Sequence, residues 1–421
     1  MRVIKALILS LPTIGFISSG VVATVALNTF ATTAVYAAKA DQQISAKVGK
    51  PLQEALSLAQ GGKLKEAMAK VQEAGAVSGK TPVEEFKVNE VTAFIAVKLG
   101  DYNTAAKAYE ATLQSGQLPA DQAKDRVNQL VKLYYQLNNY PKAIQYGSQY
   151  LKDGGTDTSI AVLVAQAYYQ QKDYAHGVEA AQNLIRMASQ AGQPVQEPWL
   201  QLLMNCQVNS GKEDDAVSTL EQLVAKYPSK QYWTQLLGYV QTHGGSSDRK
   251  NLEVYRLKLA NNLLKDSEYV DMAQLAMALG FPGDAKNVLD KGFSEKVLGT
   301  GANKDRETRL LNLAQTNSAA DQKSLPAFDK EASAAANGDS DVKLGEAYLS
   351  YGDSAKAIEA IKRGIKKGNV KAVDEANFQL GLALLDAKQS SEAVAAFKSV
   401  PADSKLASVA RLWIVYINGK K

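Results

Sequence analysis

Few side chains in this sequence are suited to chemistry. There is one cysteine, Cys206, within EPWLQLLMNCQVNSGKEDDAV (197–217), and there are two histidines, His176 and His243. A nucleophilic thiol needs a lowered pKa, supplied by a helix N-terminus or a nearby cation. Cys206 instead lies mid-segment between Asn205 and Gln207, so it reads as an inert packing residue. Each histidine is isolated from cysteine and from a second histidine, whereas a metal site needs several converging ligands. No G-x-G-x-x-G, Walker loop or G-x-S-x-G occurs. The basic run KRGIKKG (362–368) closes a helical segment, where cations suit the helix dipole, and reads as a solvated last turn. The expectation is a protein with no catalytic residues, no metal and no cofactor, so the scaffold must carry the function.

That scaffold repeats. The turns GGKLKEA (61–67), GDYNTA (100–105), NNYPKA (138–143), KDYAHG (172–177), GKEDDA (211–216), FPGDA (281–285), GDSAKA (352–357) and KQSSEA (388–393) align with one another. Marking one residue per turn at 64, 102, 140, 174, 213, 282, 354 and 390 gives spacings of 38, 38, 34, 39, 69, 72 and 36. The two doubled spacings should each conceal one degenerate copy. A period in this range with two helical segments per copy marks a helical solenoid.

Within each copy the pattern resembles the tetratricopeptide repeat (TPR), which wants small residues at positions 8 and 20 and bulky ones at 11 and 24. Gly345, Tyr348, Ala357 and Ile361 fill those places in one copy, and Gly381, Leu384, Ala393 and Phe397 in another. Ala165, Tyr168 and Gly177, and Val131, Tyr134 and Ala143, fit two more. Small residues belong where the two helices of a copy cross, since a large side chain would push them apart. Pro141 suits the first turn of a second helix, and Asp101, Asp173 and Asp353 suit N-caps.

The expected fold is all-α: a right-handed TPR-type solenoid of about ten helix pairs, beginning near 44, 81, 119, 157, 195, 229, 266, 303, 339 and 370. A capping helix follows near 402–418. Two copies are weak. The one at 229–264 has Lys250 where alanine is expected, and the one at 303–336 carries Pro326 and ends EASAAANGDSD. The stretch FSEKVLGTGANK suggests a loop and candidate hinge at 293–304, between an N-terminal array (41–292) and a C-terminal array (305–421).

The resemblance also implies where a partner binds. First helices line an inner groove, faced by positions 2, 5, 6, 9, 12 and 13. Through the middle copies these give Asn128, Lys132 and Tyr135; Gln166, Tyr169 and Gln170; Gln201 and Asn205; Tyr232, Gln235, Tyr239 and His243; and Gln274. The run combines amides, which hydrogen-bond a peptide backbone, with tyrosines, which offer flat contact area at low entropic cost. The alternative reading is the ordinary polar surface of an unengaged solenoid. The Lys/Asn/Arg carboxylate clamp of chaperone-binding TPR domains is missing, so an acidic C-terminal tail is not the expected ligand.

Met1, Arg2 and Lys5 precede an apolar stretch with no charge before Lys39, the layout of an export signal cleaved after Ala37 or Ala40. An uncleaved inner-membrane anchor is the alternative. The formal charge is +5, two units of which come from Arg2 and Lys5. Such a balance predicts no nucleic-acid binding. A single cysteine allows no intramolecular disulfide, so stability must come from packing.

The central block is similar to something narrower. Pro198-Trp199-Leu200, Tyr227-Pro228, Tyr232-Trp233 and AQLAMALGFPGDAKNVLDKGF (273–293) resemble exported TPR proteins of Gram-negative bacteria whose genes accompany ExbB, ExbD and TonB. The resemblance implies a periplasmic, non-enzymatic scaffold that serves a TonB-type uptake system through protein partners. Rival readings are a scaffold for polysaccharide export or outer-membrane assembly and, less favoured, a cell-wall hydrolase.

Overall fold

A computed structural model describes residues 44–243 and 245–419. The expected export signal, residues 1–37, lies outside them. Among the described residues there are twenty α-helices, a short 3₁₀ turn (Gly301–Asn303) and no strand. The contacts divide the chain into two compact units, one ending at Thr219 and the other beginning at Leu220.

The first unit contains the pairs α1 (Ala46–Gln60) with α2 (Leu64–Gly75), α3 (Pro82–Leu99) with α4 (Tyr102–Gln114), α5 (Ala120–Gln136) with α6 (Tyr140–Lys152), and α7 (Thr158–Gln170) with α8 (Tyr174–Gln190). A further first helix, α9 (Glu197–Asn209), is followed by α10 (Glu213–Lys226), which spans the division. All eight residues marked in the sequence begin a second helix: Leu64, Tyr102, Tyr140, Tyr174, Glu213, Pro282, Ser354 and Ser390. The residue two places earlier always has positive φ. It is glycine in five turns, but Asn138, Lys172 and Lys388 take the same conformation in the other three. Asn tolerates the left-handed region, whereas lysine does so at a cost that the flanking helices must hold. The side chains of Asp101, Asn139, Asp173 and Asp353 then each accept a hydrogen bond from the backbone three residues on.

Neighbouring pairs join through buried apolar side chains such as Ile95, Leu130, Ile160 and Leu200. Each contributes on the order of 1.5–3 kcal/mol relative to exposure. A polar contact supplements them between α4 and α6. There Glu110 accepts from Lys142 Nζ (2.7 Å) and the Tyr146 hydroxyl (2.9 Å), and Lys142 also reaches the Tyr134 hydroxyl (3.0 Å). At the start of α3, Glu84 accepts from the backbone N–H groups of Ser45 and Thr81, both at 2.8 Å. Those hydrogen bonds hold its carboxyl down at about 2.

The second unit contains α11 (Lys230–Thr242) and α12 (Asp248–Ala260), α13 (Asp266–Ala278) and α14 (Pro282–Ser294), the single helix α15 (Lys304–Ala334), α16 (Asp339–Ser350) and α17 (Ser354–Lys367), α18 (Val373–Asp386) and α19 (Ser390–Lys398), and α20 (Ala407–Gly419). One concealed copy therefore exists, its second helix starting at Asp248. The other is not a pair: α15 runs unbroken for 31 residues, with Pro326 inside it. It contains no glycine, and Asn312 and Asn317 lie within the helix rather than at a turn. One narrow stripe (Glu307, Ala314, Ser318, Leu325, Ala332) is buried while much of the rest is exposed.

Lys250 does not weaken its copy. Fully buried, it runs its ammonium to the backbone carbonyls of His243 and Gly245, the latter at 2.9 Å. It thereby satisfies carbonyls at the end of α11, where a cation suits the dipole, although burial lowers its pKa. The loop expected as a hinge lies inside this unit and is tied down. Leu298 is buried, the Tyr269 hydroxyl donates to Glu295 (2.8 Å), and Gly299 N–H donates to Glu307 (2.7 Å).

The crossing rule can be tested at Gly345, where an added Cβ would lie 2.4 Å from Ile361 Cγ1 and 2.9 Å from the Ala357 carbonyl oxygen. Gly345→Val should lose about 1–3 kcal/mol of stability in urea unfolding, as overpacked cores do. Glu84 gives a pH test. Because its folded pKa is depressed, its contribution is full above the ordinary 4.5 and disappears as pH falls towards about 2. The melting difference between wild type and Glu84→Gln should narrow across that window.

Candidate functional site

In the first unit, α5 packs beside α7 and α7 beside α9, so three first helices present one face. Their eight predicted groove residues, Asn128, Lys132, Tyr135, Gln166, Tyr169, Gln170, Gln201 and Asn205, are all half-buried. The register of this face is held by Asn128, whose Nδ2 donates at 2.9 Å to the Asp157 carboxylate. Asp157 is the N-cap of α7 and also accepts from Ser159 N–H at 2.8 Å. Burial alone would raise its pKa, but these hydrogen bonds and the nearby Lys132 charge bring it below the ordinary carboxylate value. One amide of the predicted groove is thus partly committed to joining α5 to α7.

The tyrosines occur as pairs. Tyr135 meets Tyr140 edge-to-face with ring centres 5.6 Å apart, and one copy later Tyr169 meets Tyr174 in the same way at 5.7 Å. In each pair the last turn of a first helix touches the first residue of its second helix. Burial pushes the Tyr135 phenol up to about 12 and raises that of Tyr169, so both stay neutral donors. Gln201 Nε2 reaches Glu197 at 3.3 Å, one turn back on α9. This face combines paired aromatic edges, amides and one lysine, the chemistry of contact with a polypeptide.

The second unit treats its predicted groove residues differently. Gln235 is buried, 4% exposed, and offers no surface in this arrangement. Tyr232 is buried as well. Their helix α11 is closed over at Trp233, whose ring meets Tyr416 of α20 at 6.3 Å. Tyr239 stacks on His243 with ring centres 4.2 Å apart, and the His243 Nδ1 lies 3.1 Å from the Tyr239 carbonyl oxygen. Gln274 is exposed and borders a cleft of about 590 Å³ with Asp271, Arg306, Arg309 and Leu313, between α13 and the start of α15.

The inward positions of α16 and α18 are occupied from within the chain, which the sequence did not announce. Glu346, Glu375 and Gln379 face Arg249, Glu253 and Arg256 of α12. Arg249 pairs with Glu346, 97 residues away, and Gln379 Nε2 donates to Glu253 at 2.8 Å across 126 residues. Helix α20 adds to this closure: Trp413 stacks on Phe397 (6.2 Å), and the Tyr416 hydroxyl donates to the Ala260 carbonyl (3.2 Å). The cap expected for the last copy thus also packs against α12. A signal did exist in the Arg-x₃-Glu-x₂-Arg spacing on α12 and in acids at inward positions. Each charge alone reads as solvated surface.

Cys206 is fully buried, and burial pushes its thiol up to about 12. It packs where α9 meets α8: a Cβ placed on Gly177 would fall 2.8 Å from its Sγ. His176 is exposed, 2.8 Å from the Asp173 carboxylate and stacked on Tyr168. The basic run is used internally, since Arg363 pairs with Asp341 (2.7 Å) and Asp329 (2.8 Å), and Lys367 donates to the Ala332 carbonyl (2.7 Å).

A tetratricopeptide repeat family model matches residues 95–158 and 342–407, and a second such model matches 200–230. The chain therefore carries tetratricopeptide repeats. Among solved structures it is similar to MamA, from residue 41 to its end, of Desulfovibrio magneticus RS-1. That match has 14% identity and TM-score 0.30 over 43% of this chain and 96% of that one. It is also similar to YrrB, a TPR protein with an unusual peptide-binding site (13%, TM-score 0.32, 48% and 94%). A tetratricopeptide repeat protein from Parabacteroides merdae ATCC 43184 matches at 13% and TM-score 0.32 over 64% and 100%. No curated protein matches the chain.

The Gly177–Cys206 contact predicts a coupled pair. Gly177→Ala gains helix propensity of about 1 kcal/mol but meets the sulfur, so it should stabilise only when Cys206→Ala has made room. A double-mutant cycle in urea measures this, and equal effects in both backgrounds would refute the contact. The native thiol should label with a maleimide only at the rate of local unfolding.

Proposed function

We propose that this tetratricopeptide-repeat chain is a non-enzymatic scaffold that grips a segment of a partner protein on the inner face of α5, α7 and α9. The observation that carries the reading is the set of half-exposed amides and paired tyrosines on these three adjacent helices. Two independent supports refine it. The basic and then apolar N-terminal segment supports export to the periplasm. The block around Pro198-Trp199-Leu200 and residues 273–293 supports service to a TonB-type energy-transducing system, with ExbB, ExbD or TonB components as partners.

Photo-cross-linkers installed at Tyr135, Tyr169 and Gln201 in living cells should capture TonB-system proteins, and the same probe at the exposed Lys362 should not. Capture of only export or outer-membrane assembly machinery would transfer the reading to an envelope-biogenesis scaffold. Tyr169→Ala with Gln201→Ala should weaken capture at least tenfold, about 1.4 kcal/mol, without changing the melting midpoint by more than a few degrees.

A further inference from the structure

The contact between α12 and the C-terminal helices has the form of a ligand complex. By the repeat numbering set by Gly345 and Gly381, Glu346 occupies position 9 of its copy, and Glu375 and Gln379 occupy positions 2 and 6 of theirs. All three are inward positions, the ones through which a solenoid meets a partner. They are filled by one face of a helix: Arg249, Glu253 and Arg256 are spaced by four and three residues and so lie in line. Arg249 pairs with Glu346 and lies 3.8 Å from the Glu375 carboxylate. Arg256 pairs with Asp284 of α14, its Nη1 donates to Glu253 at 2.8 Å, and the same nitrogen approaches the Gln379 oxygen at 3.4 Å. Both guanidinium groups lie over the Phe281 ring, 4.9 and 5.5 Å from its centre.

The fit is incomplete. Glu253 is fully buried, yet its Oε2 has no hydrogen-bond partner among the described residues. Buried ion pairs offset a large desolvation cost, and their better-attested role is specificity rather than net stability. A contact of this kind selects its occupant without holding it as firmly as an apolar seam would.

We propose that the inner face of α16 and α18 is a binding site for an arginine-bearing α-helix, read by Glu346, Glu375 and Gln379, and that α12 is its internal competitor. The external ligand is an amphipathic helix presenting two arginines seven residues apart, as α12 does. A partner helix binds when the C-terminal helices release α12, and its apparent affinity is reduced by the fraction of time the internal helix stays in place. This site is separate from the face of α5, α7 and α9 and does not depend on the function proposed for it.

The probe is a fluorescein-labelled synthetic peptide of residues 246–262, SSDRKNLEVYRLKLANN. In the full chain, Arg249→Ala with Arg256→Ala disarms the internal competitor and leaves Glu346, Glu375 and Gln379 in place. The peptide should bind this variant at least tenfold more tightly than wild type, and adding Glu346→Gln should reverse the gain. A peptide with both arginines replaced by alanine should not bind either protein. Equal binding of the two peptides, or no binding of the native peptide to the disarmed chain, would overturn the proposal. Should circular dichroism show the double variant unfolded, hydrogen exchange of the wild-type chain with excess peptide decides. Faster exchange over 248–260 with slower exchange over 373–386 supports the site, and unchanged exchange in both refutes it.

Discussion

Every copy in this chain depends on how closely two helix backbones can approach where they cross. Gly345 against Ala357 and Ile361 and Gly381 against the Phe397 ring show this constraint within a copy, and Gly177 against Cys206 shows it between one copy and the next. In each, even one added methyl group would meet a neighbour at under 3.0 Å. The crossing fixes the angle between first and second helices, which in turn lets first helices stack on one side. On that side Asn128, Tyr135, Gln166, Tyr169, Gln201 and Asn205 come together, though up to 77 residues separate them in sequence. Close packing far from the face therefore determines which polar side chains share it.

The two units use that face differently. In the first, the inward residues stay half-exposed and are joined mainly by short-range contacts such as Asn128 to Asp157. In the second, the same positions turn back on α12 through charged side chains, and aromatic contacts from Phe378 through Phe397, Trp413 and Tyr416 to Trp233 reinforce the return. A solenoid is ordinarily stabilised by nearest-neighbour interfaces alone. Here contacts spanning roughly a hundred residues and more join parts of one unit, at the cost of burying Glu253 and Glu346.

The repeat was legible because its determinants are local. Positive φ two residues before each second helix, an N-cap after it, and small residues at the crossing leave marks at fixed spacing. For that reason Leu64, Tyr102, Tyr140 and the other markers coincide with helix starts. One reading went astray, and one departure from the repeat pattern found its reason. Lys250 departs from the alanine the repeat wants, yet its copy forms, because its ammonium reaches carbonyls that a helix end leaves without partners. Residues 304–334 were expected to form a pair because the doubled spacing demanded one, but with no glycine between Lys304 and Ala334 the helix continues past Pro326.

The sequence by itself determined most of the helical pairs and the burial of Cys206, since periodicity and residue size are local properties, and it offered a list of inward-facing positions only as an expectation. Only the tertiary structure decided which inward positions remain open. Gln201 and Asn205 keep partial exposure, Gln235 loses it, and Glu346 and Gln379 are buried against α12 while Glu375 keeps part of its carboxylate exposed. The physical reason is curvature. Small rotations between successive helix pairs accumulate along an array, and their sum, which no single repeat encodes, sets whether distant helices meet.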